Sequence, residues 1–158
     1  MPVRVKICGV RAAAALEAAA AAGAAYAGFV FFPKSPRHLW WDEAAALAAG
    51  APPGLCKVGL TVDPDDATLD RLAALPLDMI QLHGRETPAR AVEIRARLGL
   101  PVMKAVGVAG PEDLAALDLW EETADQILCD AKPPTEGPLP GGMGVAFDWR
   151  LIAGRRWR

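Results

Sequence analysis

Apolar and polar positions along this chain follow two periods that alternate from one end to the other. Val3, Val5 and Ile7 alternate with Arg4 and Lys6, and a period of two with β-branched members predicts a first strand over 3–7. Gly9 permits a turn there, and the alanine-rich stretch from about Arg11 to Ala22, centred on Leu16 and Glu17, predicts a helix. Ala27 to Phe32 is a short apolar run suited to a buried strand, and Pro33 ends it. Asp42 as cap, with Glu43 in the first turn, opens a helix through about Ala49. Leu55 to Val62 is a third strand, and Asp63-Pro64-Asp65 starts a helix to about Ala74. Met79 to Leu82 is a fourth strand; Thr87-Pro88 caps the helix after it, and Gly99 ends that helix behind Leu98. Val102 to Val106, a short helix from Gly110-Pro111-Glu112 to Leu117, and Asp125 to Cys129 continue the series. Phe147 to Ile152 reads as the opening of a sixth helix.

Six strand-then-helix units in succession favour a parallel sheet with helices outside it. Two closures compete, an open doubly wound sheet and a barrel. No Gly-x-Gly-x-x-Gly follows the first strand, which removes the main dinucleotide signature. The candidate polar residues sit at the C-terminal ends of different strands: Cys8, Arg37, His83 and Asp130. In an open sheet these ends form a row, whereas in a barrel they converge on one pocket.

Composition narrows the picture further. At 158 residues the chain suits one domain with a hydrophobic core. A net charge of −2 offers no nucleic-acid surface. Three cysteines, Cys8, Cys56 and Cys129, with no signal peptide, point to a reducing, cytoplasmic setting. The alanine stretch is too short and too weakly hydrophobic for a membrane span.

Cys8 stands where α/β proteins place their chemistry, although on composition alone it reads as an inert, buried small hydrophobe. The loop Pro33 to His38 is stiffened by two prolines and carries Lys34, Arg37 and His38, three groups able to meet an anion. Ala131 to Gly144 is a long connection with four prolines and four glycines, of a length that is usually functional or disordered. Taken singly, His83 reads as structural or solvated, Asp130 as a cap of its own loop, Lys6 as a barrel-interior or rim residue and Lys132 as plain surface.

The motifs together carry more. Lys6-Ile7-Cys8-Gly9, then Phe29 to Arg37, then Gln81-Leu82-His83-Gly84, then Gly141-Gly142-Met143-Gly144 through Phe147-Asp148-Trp149 resemble the phosphoribosylanthranilate isomerase family of tryptophan biosynthesis. The resemblance implies a (β/α)8 TIM barrel of the phosphate-binding type. It also implies an Amadori rearrangement of N-(5′-phosphoribosyl)anthranilate to 1-(2-carboxyphenylamino)-1-deoxyribulose 5-phosphate. It assigns Cys8 as general base, Asp130 as general acid and Arg37 to the anthranilate carboxylate. His83, Lys6, Gly142 and Gly144 join as substrate-binding positions. A cysteine starts near pKa ~8.5 and needs help to form the thiolate, which the following helix N-terminus is expected to give. An aspartate starts near ~3.9 and needs burial or a like charge to keep a proton. No metal and no organic cofactor is implied, and the expected partner is the phosphorylated aminosugar.

Three departures from the family stand out. Thr61 occupies a position where the family tends to have phenylalanine, and Met143 replaces a small hydroxylated residue. The match fills the chain from end to end with only about six of the eight units, so residues 1–158 are expected to form a single, C-terminally incomplete barrel domain. The two absent units are those that grip the substrate phosphate in the family. An inactive barrel fragment, or a split-barrel component completed by a C-terminal fragment, is the competing expectation. A homodimer is a further possible assembly.

Overall fold

The computed structural model describes residues 3–132 and 146–155. Gly142 and Gly144, two expected substrate-binding positions, and Met143 lie outside the described residues.

Six strands are formed: β1 (Lys6–Cys8), β2 (Tyr26–Phe31), β3 (Cys56–Thr61), β4 (Met79–Leu82), β5 (Val102–Val108) and β6 (Gln126–Ala131). They alternate with helices α1 (Ala13–Ala21), α2 (Trp41–Ala49), α3 (Asp66–Ala73), α4 (Pro88–Leu98) and α5 (Leu114–Trp120). Every strand pairs in parallel with its neighbour in sequence, in the order β1-β2-β3-β4-β5-β6. A doubly wound sheet reverses its strand order at a switch point, whereas a barrel advances one strand at a time. The unbroken progression therefore decides for six units of a TIM barrel, a curled partial barrel whose edges are β1 and β6.

Local chemistry explains the helix boundaries. Asp65 accepts the Thr68 N–H at 2.8 Å and caps α3, and Thr87 accepts the Arg90 N–H at 3.2 Å to cap α4, with Pro88 as the first helical residue. At α2 the expectation fails by two residues. Trp40, not Asp42, holds the cap position, and Glu43 reaches back to accept the Trp40 N–H at 3.1 Å. Asp42 sits inside the first turn beside Glu43, where both complement the helix dipole. The expected sixth helix is a 3₁₀ turn, Trp149–Ile152, capped by Asp148 through the Arg150 N–H.

The period of two along each strand splits the core into two layers. Phe29, Ile80, Leu82, Val102 and Val106 face the helices, where they pack with Leu16, Leu69, Leu72, Ile94 and Leu117. A smaller cluster of Tyr26, Val58, Met79 and Met103 fills the concave side, joined by Cys56 and Leu128. In β6, Ile127, Cys129 and Ala131 pack outward and Leu128 inward, so Asp130, two residues on, shares the concave face. Gln126 donates to the Tyr26 hydroxyl at 2.9 Å, tying β6 to β2 across the concave floor.

Two strand ends differ from the sequence expectation. β1 starts only at Lys6, and Val3 and Val5 precede it in exposed positions. β6 runs through Asp130 to Ala131, so the aspartate belongs to the strand and not to the loop beyond it.

One buried ion pair sits on the helix side of the sheet. Lys104 of β5 reaches Glu86 Oε2 at 2.6 Å and donates to the Gly84 carbonyl at 2.7 Å, with its ammonium 5.2 Å from the Trp120 ring centroid. Glu86 also accepts the N–H groups of Gly84 and Asp63. Asp63 has a φ of 46°, a conformation that costs energy in a residue with a Cβ and persists where surroundings hold it. Its carboxylate accepts the Arg85 N–H at 2.7 Å, so one buried network fixes both the β3–α3 and β4–α4 loops.

Candidate functional site

The β1–α1 turn brings together two of the expected site residues. Gly9 has a φ of 81°, and a Cβ there would collide with the Arg37 side chain. Glycine therefore serves twice, for the turn and for the close seat of the Arg37 side chain against the residue that follows Cys8. The loop carrying Arg37 is as stiff as its prolines suggest: Ser35 N–H bonds to Phe32 O, His38 N–H to Ser35 O, and Arg37 N–H to the Ser35 hydroxyl. Arg11 clamps it to the first unit by donating to the Pro36 carbonyl at 3.1 Å.

Cys8 is the last residue of β1, paired with Gly28 of β2. A Cβ on Gly28 would stand 3.0 Å from Lys6 Nζ and 3.1 Å from Cys8 Sγ. The missing side chain at Gly28 thus makes the room in which the ammonium and the thiol lie side by side. Gly28→Ala is expected to displace the thiol and lower turnover about a hundredfold, the scale of a misplacement near 1 Å, with an unchanged far-UV circular dichroism spectrum. Residues Gly9 to Ala12 separate Cys8 from the start of α1, so the helix N-terminus is farther from the thiol than expected.

On the opposite edge, β4 and β6 join their polar ends. His83 Nε2 lies 3.2 Å from Asp130 Oδ2, and His83 Nδ1 lies 3.1 Å from Gln81 Nε2. Asp130 Oδ1 accepts the Ala131 N–H at 2.9 Å. The aspartate is less enclosed than the general-acid expectation required, with 28% of its side chain exposed. His83 is therefore not a plain surface residue, because its Nε2 is engaged with Asp130.

The remaining cations sort simply. Lys132 is exposed and pairs with Asp113 at 2.7 Å, the plain surface role expected of it. That ammonium, with the N–H groups of Ala109 and Gly110, holds the Asp113 carboxyl below its ordinary range. Burial pushes the thiols of Cys56 and Cys129 above theirs, in keeping with structural cysteines. Among the described residues no group of three or more His, Cys, Asp and Glu side chains could hold a metal ion, and no helix is long and apolar enough to cross a membrane.

Two buried polar residues of the strands carry little local signal. Gln81 sits in an otherwise apolar strand and is 1% exposed; its marks are a polar residue flanked by Ile80 and Leu82 and its place at the head of the Gln81-Leu82-His83-Gly84 motif. Lys104 hides in the same manner between Met103 and Ala105.

Comparison with known proteins gives a consistent result. The sequence profile of the N-(5′-phosphoribosyl)anthranilate isomerase family matches residues 5–157. The N-(5′-phosphoribosyl)anthranilate isomerase of Paracoccus denitrificans is 64% identical over 157 residues, covering 99% of this chain and 73% of that protein. A solved structure of monomers generated from the dimeric phosphoribosylanthranilate isomerase of Thermotoga maritima superposes with a TM-score of 0.79 at 33% identity, over 96% of this chain and 69% of the other. A further isomerase structure, in complex with reduced 1-(o-carboxyphenylamino)-1-deoxyribulose 5-phosphate, gives a TM-score of 0.76 at 31% identity, over 96% of this chain and 69% of that one.

Proposed function

This chain belongs to the N-(5′-phosphoribosyl)anthranilate isomerase family and is an isomerase of tryptophan biosynthesis; we propose that Cys8 and Asp130 are the acid–base pair of its Amadori rearrangement. The observation that supports this most is their placement: a thiol at the C-terminal end of β1 and a carboxylate at that of β6, both on the concave face.

In this reading Asp130 gives a proton to the furanose ring oxygen. The bond from that oxygen to C1′ breaks, and the anthranilate nitrogen supplies the electron pair that makes the C1′ iminium. Cys8 as thiolate removes the C2′ proton, and the electrons of that bond form the C1′–C2′ double bond of an enolamine. Loss of the C2′ hydroxyl proton and protonation of C1′ give the ketone and restore both groups. Each proton transfer by a positioned group contributes about 10²–10⁴-fold. The substrate brings its own carboxylate and phosphate into the site, and added negative charge favours the protonated form of a neighbouring aspartate.

Arg37, held against Gly9 beside Cys8, binds the anthranilate carboxylate through a planar, two-pronged donor set. Lys6, whose ammonium shares the Gly28 space with the thiol, meets a second anionic group of the substrate. Gly142 and Gly144, outside the described residues, are kept as substrate-binding positions on the family resemblance alone. The chemistry calls for no metal and no organic cofactor, because the substrate nitrogen is the electron sink. We assign the chain to the cytoplasm, and the dimeric state of the Thermotoga maritima relative makes a homodimer the assembly to test by sedimentation.

The direct test is alkylation. Iodoacetamide is expected to modify Cys8 in the free protein and to be slowed at least tenfold by saturating substrate analogue, with Cys56 and Cys129 reacting slowly throughout. Equal rates at Cys8 with and without the analogue would remove the thiol from the site.

A further inference from the structure

Gln81, His83 and Asp130 form a continuous chain of side chains, and its inner end is the most enclosed: Gln81 is 1% exposed and its Oε1 has no partner among the described residues. We infer that Gln81 is a positioning residue, fixing His83 in the Nε2–H tautomer so that the imidazole donates to Asp130 and orients its carboxylate. The inference rests on the reading of Asp130 as the acid–base residue.

Which groups can donate decides the tautomer. A neutral imidazole has one donor nitrogen and one acceptor nitrogen, and the partner of either one sets the other. Gln81 can present its NH2 or its carbonyl oxygen to Nδ1. With the NH2 on Nδ1, at 3.1 Å, one of its two N–H donors is used and the carbonyl oxygen is unpaired among the described residues. With the amide reversed, the oxygen would take Nδ1–H and two N–H donors would be left at the buried position instead. Orphaned buried donors are rarer and cost more than an under-used carbonyl oxygen. The first arrangement makes Nδ1 the acceptor, so the proton must reside on Nε2, 3.2 Å from Asp130 Oδ2.

The geometry of the carboxylate follows from that donor. Ala131 N–H holds Oδ1 at 2.9 Å and His83 Nε2–H holds Oδ2, so both oxygens are aimed by groups from different parts of the chain. The opposite tautomer would set a lone pair of Nε2 against Oδ2, which repels the ionised carboxylate and, in the protonated acid, takes up as acceptor the proton that Asp130 is to deliver. Backbone support is in place as well, because His83 N–H bonds to the Thr61 carbonyl at 2.9 Å and keeps the ring at the end of β4.

The test is 15N-detected histidine NMR at about pH 8, above the ordinary histidine range near 6.5. The chain has only two histidines, His38 and His83, so a His38→Gln variant assigns the signals. The expected spectrum shows His83 with a protonated Nε2 and a bare Nδ1. A protonated Nδ1, or an even mixture of tautomers, would overturn the inference whatever the activity. In Gln81→Met, which removes the donor and keeps the volume, the tautomers should mix and kcat should fall about tenfold with KM little changed. Unchanged kcat in a variant with mixed tautomers would also overturn it. Failure of the underlying reading is distinguishable: an Asp130→Asn enzyme of near wild-type activity would discard Asp130 as the acid–base residue while leaving the wild-type tautomer as observed.

Discussion

Asp130→Asn lowers kcat by about 10²–10⁴-fold, the contribution of one positioned proton donor, while leaving the fold intact. The amide is nearly isosteric with the carboxylate, and its oxygen can still accept the Ala131 N–H that Asp130 Oδ1 accepts at 2.9 Å. What it cannot do is deliver a proton to the ring oxygen of the substrate. Its NH2 also meets the His83 Nε2–H in place of an acceptor, so the loss is expected at the upper end of the range. Thermal unfolding should move by only a few degrees, because the side chain is partly exposed and lies on an edge strand. Steady-state kinetics, with circular dichroism as the control, checks both halves. Turnover within tenfold of wild type would place the acid elsewhere.

Lys104→Met is the substitution with the largest expected cost in stability. The ammonium it removes is 5% exposed and its partner carboxylate 1%, so the change strands a buried charge. Breaking such a pair from one side costs about 3–5 kcal/mol, which for a domain of this size is about 10 °C in the unfolding midpoint. Glu86 would keep the N–H groups of Gly84 and Asp63 but lose the Lys104 ammonium. The strained Asp63 backbone, which these bonds hold, should loosen with it. Adding Glu86→Gln to Lys104→Met should recover more than half of the loss, since the amide oxygen can still accept and no charge remains buried. Differential scanning calorimetry of the two variants measures this. A Lys104→Met protein as stable as wild type would mean that water reaches Glu86 and the pair is not a structural anchor.

These two variants also mark the line between what the sequence discloses and what it conceals. Elements with strong local signals were legible: β4 over Met79–Leu82 and α4 from Pro88 to Leu98 follow directly from an apolar run, a threonine cap, a proline and a closing glycine. Cys8 and Arg37 were singled out through the motifs that carry the family resemblance; in the structure Gly9 makes room for the Arg37 side chain and Gly28 for the Cys8 thiol. Pairings across long stretches of chain were not. Lys104 and Glu86 lie on different elements, and His83 meets Asp130 across 47 positions, so neither pair leaves a local pattern. Boundaries failed where tertiary contacts outrank propensity. Val3 and Val5 alternate like strand residues but stand exposed ahead of β1, and the reach of Glu43 to Trp40 moved the α2 cap away from Asp42.

The measurement that bears most directly on the central claim is the turnover of N-(5′-phosphoribosyl)anthranilate by the purified 158-residue chain, followed by the loss of substrate fluorescence beside a Cys8→Ser control. Steady turnover by the wild-type chain, falling by at least about a hundredfold in Cys8→Ser, is the predicted result. Equal rates in the two proteins would contradict the assignment of the chemistry to Cys8, and no turnover by the wild-type chain would contradict the claim that these 158 residues turn over the substrate by themselves.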